Sequence, residues 1–89
     1  MNLRKAARGQ HCQVEIAGVC NYNKATTVLA HIRMGNVGIG IKPHDAWGVH
    51  ACSNCHDMID GRMKPTDDFA ANKWWYIARA LGRMREAGF

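Results

Sequence analysis

The spacing of apolar and polar positions divides the chain into short extended pieces followed by one long helix. Residues 1–11 contain little that would drive burial and read as a basic arm or short helix. In residues 12–20, Val14 and Ile16 alternate with polar neighbours, the period of a short strand, and the run ends in a turn at Gly18. Asn21-Tyr22-Asn23-Lys24 is a second turn signal. The β-branched run Thr26-Thr27-Val28-Leu29-Ala30-His31-Ile32 predicts a second strand. Residues 34–44, with glycines at 35, 38 and 40, lack the Gly-Lys-Ser/Thr ending of a phosphate loop and read as a flexible connection. Residues 45–51 predict a third strand with Trp47 and Val49 on one face. Ser53 is placed to cap a short helix over 54–60, stopped by Gly61.

The last element is the clearest. Thr66 or Asp67 caps a helix over 66–87, with Gly88 as its stop. Ala70, Trp74, Ile77, Leu81 and Met84 recur at steps of four and three and form one apolar stripe. Asp68, Asn72, Arg79, Arg83 and Glu86 fall on the opposite side. Trp75 lies beside Ala71, Ala78 and Gly82, an arrangement that suits either internal packing or a homodimer contact. The expected fold is α+β, with the order strand, strand, glycine-rich loop, strand, short helix, amphipathic C-terminal helix.

A chain of 89 residues has room for a single domain, here 1–89, whose apolar core is small for its surface. Chains near this size often add a metal or disulfides. No stretch approaches the ~18 consecutive apolar residues of a membrane span. The charged start Met1-Asn2-Leu3-Arg4-Lys5 is not followed by the apolar run of a secretory signal. The expectation is a cytoplasmic protein with no membrane partner, in a reducing compartment where cysteines favour metal over disulfides. Charge narrows the partner. Residues 1–44 hold six bases (Arg4, Lys5, Arg8, Lys24, Arg33, Lys42) against Glu15 alone, so the net +5 of the whole protein resides in that half. Such a concentration suits a polyanion, DNA or RNA.

Cys52-Ser53-Asn54-Cys55 is a tight pair at a strand-to-helix junction, and Cys12 and Cys20 make a wider one. Together they could enclose one tetrahedral zinc ion with no open position, a structural site. Two disulfides, or free buried thiols, are the other arrangements open to four cysteines. Of the five histidines, His56 stands apart, because Asp60 lies four residues on and shares its helical face. That pair is either a solvated polar contact or a divalent-ion site with open positions.

Residues 31–60 resemble the HNH, or ββα-metal, nuclease motif: Ala30-His31-Ile32 on a strand, then Cys52-Ser53-Asn54-Cys55-His56-Asp57-Met58-Ile59-Asp60, with Asp60 at the place of a closing histidine. More narrowly, Leu3-Arg4-Lys5-Ala6-Ala7-Arg8-Gly9, Val28-Leu29-Ala30-His31-Ile32-Arg33 and Ala51-Cys52-Ser53 are similar to the YbcO-like family of small prophage-encoded nucleases. The resemblance implies a zinc-stapled HNH-like fold, with an extra strand or hairpin and the C-terminal helix added. It implies a bacterial, prophage-encoded endonuclease acting on DNA, in phage recombination or DNA processing and with a recombination protein as a potential partner. It also implies roles. His31 is the general base and His56 and Asp60 hold magnesium or another catalytic divalent ion. The sequence departs from the motif at Ala30, where a metal-binding His or Asp precedes the base, and at Trp47, where the middle Asn falls. Asp45, two residues earlier, is the replacement expected to orient His31. Arg4, Lys5, Arg8 and Arg33 are expected on flanking phosphates. A DNA-binding zinc module without cleavage, and an interaction module working through Trp74 and Trp75, are the alternatives.

Overall fold

The computed structural model describes residues 3–32 and 47–89. Its elements are α1 (Leu3–Ala6), a 3-10 turn (Lys24–Thr26), β1 (Val28–His31), β2 (Gly48–Ala51), α2 (Ser53–Ile59) and α3 (Asp67–Glu86). The expected glycine-rich connection of 34–44 lies outside the described residues.

β1 and β2 pair antiparallel with Val28 opposite Ala51, Leu29 opposite His50, Ala30 opposite Val49 and His31 opposite Gly48. The pairing runs one step further, where Ile32 N–H donates to the Trp47 carbonyl at 3.0 Å. All four residues of β2 are buried. The sheet has only two strands, so helices must cover it, and α1, α2 and α3 all pack against it.

Residues 12–20 do not form the expected strand. A strand needs a ladder, and this segment has one backbone bond to the sheet, Gln13 N–H to the His50 carbonyl at 2.7 Å. Glu15 then turns into the left-handed region (φ 47°), which ends any extended run. Its carbonyls go to α3 instead: Arg79 donates to Val14 O at 2.7 Å and Glu15 O at 3.3 Å, and Arg83 donates to Gln13 O at 3.2 Å. Arg83 also pairs with the Glu15 carboxylate at 2.9 Å. Arg79 and Arg83, expected on the polar side of the long helix, therefore face the protein. Val14, Ile16 and Val19 are buried beneath this irregular segment.

The helices start and stop as their caps dictate. Thr66 Oγ1 accepts from Phe69 N–H at the start of α3. At its end Gly88 adopts φ 88°, Gly88 N–H bonds Arg85 O, and Phe89 N–H bonds Met84 O, which is a Schellman closure. α2 closes the same way through Gly61 and Arg62, bonded to Met58 O and Asp57 O. Its N-cap is Cys52 rather than the expected Ser53: the Cys52 sulfur accepts from Cys55 N–H at 3.4 Å. The buried side of α3 consists of Phe69, Tyr76, Ile77, Ala80 and Met84, so the expected stripe holds only from Ile77 onward. Asn72 departs from helical geometry (φ −123°, ψ 22°) and its amide bonds Asp68, yet Phe69, Tyr76, Ala80 and Met84 keep one helical stripe across it; Ala70 and Trp74 lie off that stripe and are exposed. His50 is buried against the Phe89 ring (4.5 Å) with neither ring nitrogen hydrogen-bonded, and burial pulls its pKa down, so it is a neutral core group.

Candidate functional site

Two clusters of chemistry-bearing side chains lie at opposite ends of α2. At its N-terminus, Cys12, Cys20, Cys52 and Cys55 place their sulfurs within 4.8 Å of one another. Cys20 and Cys52 are 3.9 Å apart. A tetrahedral zinc with Zn–S bonds of about 2.3 Å requires sulfur–sulfur edges of about 3.8 Å, so the four thiols fit one such ion after small adjustments. None is in a disulfide. Two of them are pre-oriented by the backbone: Cys12 accepts from Glu15 N–H and Cys52 from Cys55 N–H, both at 3.4 Å and both three residues on. Electrostatics within the metal-free cluster are lopsided. The Cys55 thiol hydrogen-bonds Cys12, which lowers the Cys12 pKa and raises that of Cys55, while burial raises Cys20. The Cys12 thiolate therefore forms readily, while Cys20 and Cys55 need a cation beside them. The set can hold one metal ion such as zinc. Among the described residues no other group of three or more His, Cys, Asp or Glu side chains comes close enough to share an ion.

At the other end of α2, His56 Nε2 and Asp60 Oδ2 lie 3.1 Å apart. Asp60 is shared: Arg62 reaches the same oxygen at 3.5 Å and pairs with Asp57 at 3.4 Å. His31, from the last position of β1, lines a cavity of about 70 Å³ with Ile32, Ile59, Asp60, Lys73 and Ile77. Strand β1, helix α2 and helix α3 thus converge on one small cleft. A histidine, an aspartate and a lysine thus share the lining of one cavity with three isoleucines.

Asp45 and Arg33, expected to orient the base and to bind phosphate, lie outside the described residues. Arg4, Lys5 and Arg8 lie on α1 and the turn that follows, all exposed. Trp47 is 49% exposed beside the paired end of the sheet. Lys73 and Arg62 escaped the sequence reading. The spacing that could have shown Lys73 is its position four residues before the core residue Ile77, whereas the turn that brings Arg62 back to Asp57 and Asp60 leaves no pattern.

A small α+β chain with a four-cysteine cluster and a His/Asp cleft is the class these features define. The family model described as "Putative nuclease YbcO" matches residues 1–88, and the chain belongs to that family. It is 61% identical over 67 residues, 74% of this chain and 70% of the relative, to the protein of the same description from Escherichia coli K12. Identity and coverage are the same for a relative from Enterobacteria phage 82. A solved Escherichia coli K-12 structure described as a bacteriophage protein superposes with a TM-score of 0.69 at 45% identity, covering 96% of this chain and 98% of that one.

Proposed function

We propose that this chain is a metal-dependent DNA endonuclease of the HNH type, hydrolysing phosphodiester bonds at the His31/Asp60 cleft. The observation that carries the reading is the convergence of His31 from β1 with Asp60 from α2 on one cavity, on elements pinned by the cysteine cluster. Membership of a family described as nuclease supports it. In this reading neutral His31 takes a proton from water as the oxygen attacks phosphorus, and the P–O3′ bond breaks. Asp45 fixes the His31 tautomer. A divalent ion held by His56 and Asp60 would stabilise the charge on the leaving oxygen. Arg4, Lys5, Arg8 and Arg33 neutralise flanking phosphates, so affinity falls as salt rises. Magnesium, with its preference for retained waters, suits a site with only two protein donors.

Ala30, fully buried just before His31, offers no ligand to an ion. That observation favours a second reading, in which the chain retains DNA without cutting it. Incubation of zinc-loaded protein with supercoiled and branched DNA, adding Mg, Mn or Ni ions in turn, separates the two. Nicking lost in His31→Ala, with zinc content unchanged, is the expected result. DNA retention without nicking under every metal would replace the first reading by the second.

A further inference from the structure

Two indoles stand exposed side by side on α3, Trp74 at 58% and Trp75 at 57%. Their surroundings differ. Trp75 stacks edge-on against Tyr76 and lies under the Arg79 guanidinium at 4.5 Å, while Arg79 is itself tied to the Val14 carbonyl. Trp75 is therefore part of the clamp on residues 13–15. Trp74 has no such duty and lies off the buried side of α3. Beside it is the Lys73 ammonium, 5.5 Å from the ring centroid. Lys73 also lines the cleft with His31 and Asp60. Lys73 thus lies between the cleft, which its side chain helps to line, and the exposed indole, over which its ammonium lies, and the pair matches the two halves of a nucleotide, a phosphate and a flat base.

We infer that Lys73 and Trp74 form a nucleotide subsite, Lys73 holding the phosphate presented to His31 and Trp74 stacking on an unpaired base next to it. The inference rests on the nuclease reading for which phosphate enters the cleft. A fully paired base hides both faces in its stack, so the subsite selects single-stranded or branched DNA over continuous duplex. Charge complementarity fixes the occupant. A purely apolar partner would leave Lys73 and Asp60 desolvated at its edge, whereas a DNA strand brings the phosphate that Lys73 requires.

The test is binding by fluorescence anisotropy, using zinc-loaded full-length His31→Ala without added divalent ion, so that cleavage cannot interfere. The probes are a labelled single-stranded oligonucleotide and a blunt duplex of the same sequence. The single strand should bind more tightly. Adding Trp74→Ala should weaken single-strand binding about tenfold and abolish the preference, and Trp74→Phe should restore most of it. Lys73→Gln should reduce the salt dependence of single-strand binding by about 0.7 in log–log slope. Trp74 is mostly exposed, so thermal unfolding of Trp74→Ala should match its parent. Unchanged affinity in Trp74→Ala, tighter binding of the duplex, or a dimer in sedimentation that Trp74→Ala dissolves would each overturn the inference, the last by assigning the ring to a second copy. Loss of binding in Trp74→Ala without nicking by wild type would defeat the nuclease reading and leave the subsite standing. Nicking that needs His31 but ignores Trp74 would do the reverse.

Discussion

Removal of metal from the four cysteines should unfold the N-terminal half of the chain and with it the cooperative structure. The cluster joins residues 12 and 20 to residues 52 and 55, across a segment whose only regular element before β1, apart from the short α1, is a three-residue turn. A chain of 89 residues has a folding stability of about 4–13 kcal/mol at the usual ~0.05–0.15 kcal/mol per residue. A structural zinc site in small metal-dependent folds has an apparent binding free energy of about 10–16 kcal/mol near neutral pH. The second range lies higher at both ends and overlaps the first only near its top, so loss of the ion should remove most or all of the margin that keeps the segment folded. Without it, the apolar contacts of Val14, Ile16 and Val19 with the core must be kept in place by the Arg79 and Arg83 bonds, Ala17 N–H to the Tyr76 hydroxyl and one bond to the sheet. Purified protein should carry one zinc per chain by atomic absorption. Chelation under reducing conditions should erase amide-exchange protection at Gln13, Val19 and Cys20 and collapse the urea transition, and added zinc should restore both. A metal-free, reduced chain with the same urea midpoint as the loaded one would refute the reasoning, and the thiols would then be no more than buried core groups.

Two further outcomes follow from α3. Arg79→Met keeps an apolar stem against Trp75 but removes the donors to Val14 O and Glu15 O, so urea unfolding should show a loss of about 2 kcal/mol, the scale of one or two charge-assisted bonds. An unchanged midpoint would mean that water satisfies those carbonyls equally well. Tyr76 donates to the Asp68 carboxylate, which raises its pKa above the ordinary 10 along with burial, against smaller opposing effects of Ala17 N–H and Arg79. The folded state then binds the phenol proton more tightly than the unfolded state. Its contribution is fully present below about pH 10 and declines as pH rises through the folded pKa. Stability of Tyr76→Phe should therefore fall less steeply above pH 10 than that of wild type, and parallel profiles would count against the Asp68 contact.

What the sequence disclosed depended on how local the cause was. Thr66, Gly61 and Gly88 act within one helical turn, and the helix ends they predict are where the structure has them. The run 26–32 contains a β-branched strand signal, and Val28–His31 is the strand. Alternation at Val14 and Ile16 gave a false strand, because both residues can be buried by an irregular segment whose carbonyls are satisfied by arginine side chains sixty-odd residues away. In the long helix Phe69, Tyr76 and Ala80 have the same helical spacing as the expected Ala70, Trp74 and Leu81, so periodicity alone could not choose between two neighbouring stripes and tertiary packing chose the first. The cysteine set was readable from the Cys52/Cys55 spacing and the small size of the chain. The cleft was not, since His31 and Asp60 meet through sheet and helix packing; Asp60 was marked by its spacing from His56, and only the resemblance to a known motif singled out His31. Lys73 shares a helical face with Ile77, but that spacing does not say which neighbour the face meets.

The two clusters do not depend on each other symmetrically. α2 has seven residues, a length of about 10 Å that would not persist alone in water. Its first turn is built from the metal-holding residues themselves: Cys52 is the cap, and Cys55, whose N–H makes that cap, is a ligand candidate. The last turn carries His56 and Asp60, and the Gly61 closure that aims Arg62 at Asp60 needs the helix to exist first. Disturbing the sulfur end must therefore disorder the His/Asp end. Disturbing His56 or Asp60, which lie after the capped first turn, should leave that turn and the cysteine cluster in place. The same direction holds for His31, which reaches the cleft from a strand whose partner β2 leads directly into Cys52. Order flows from the cysteines to the cleft, so the cysteine cluster would act on the proposed hydrolysis only through position, and the chemistry proposed for the cleft belongs to His31, His56, Asp60 and Lys73.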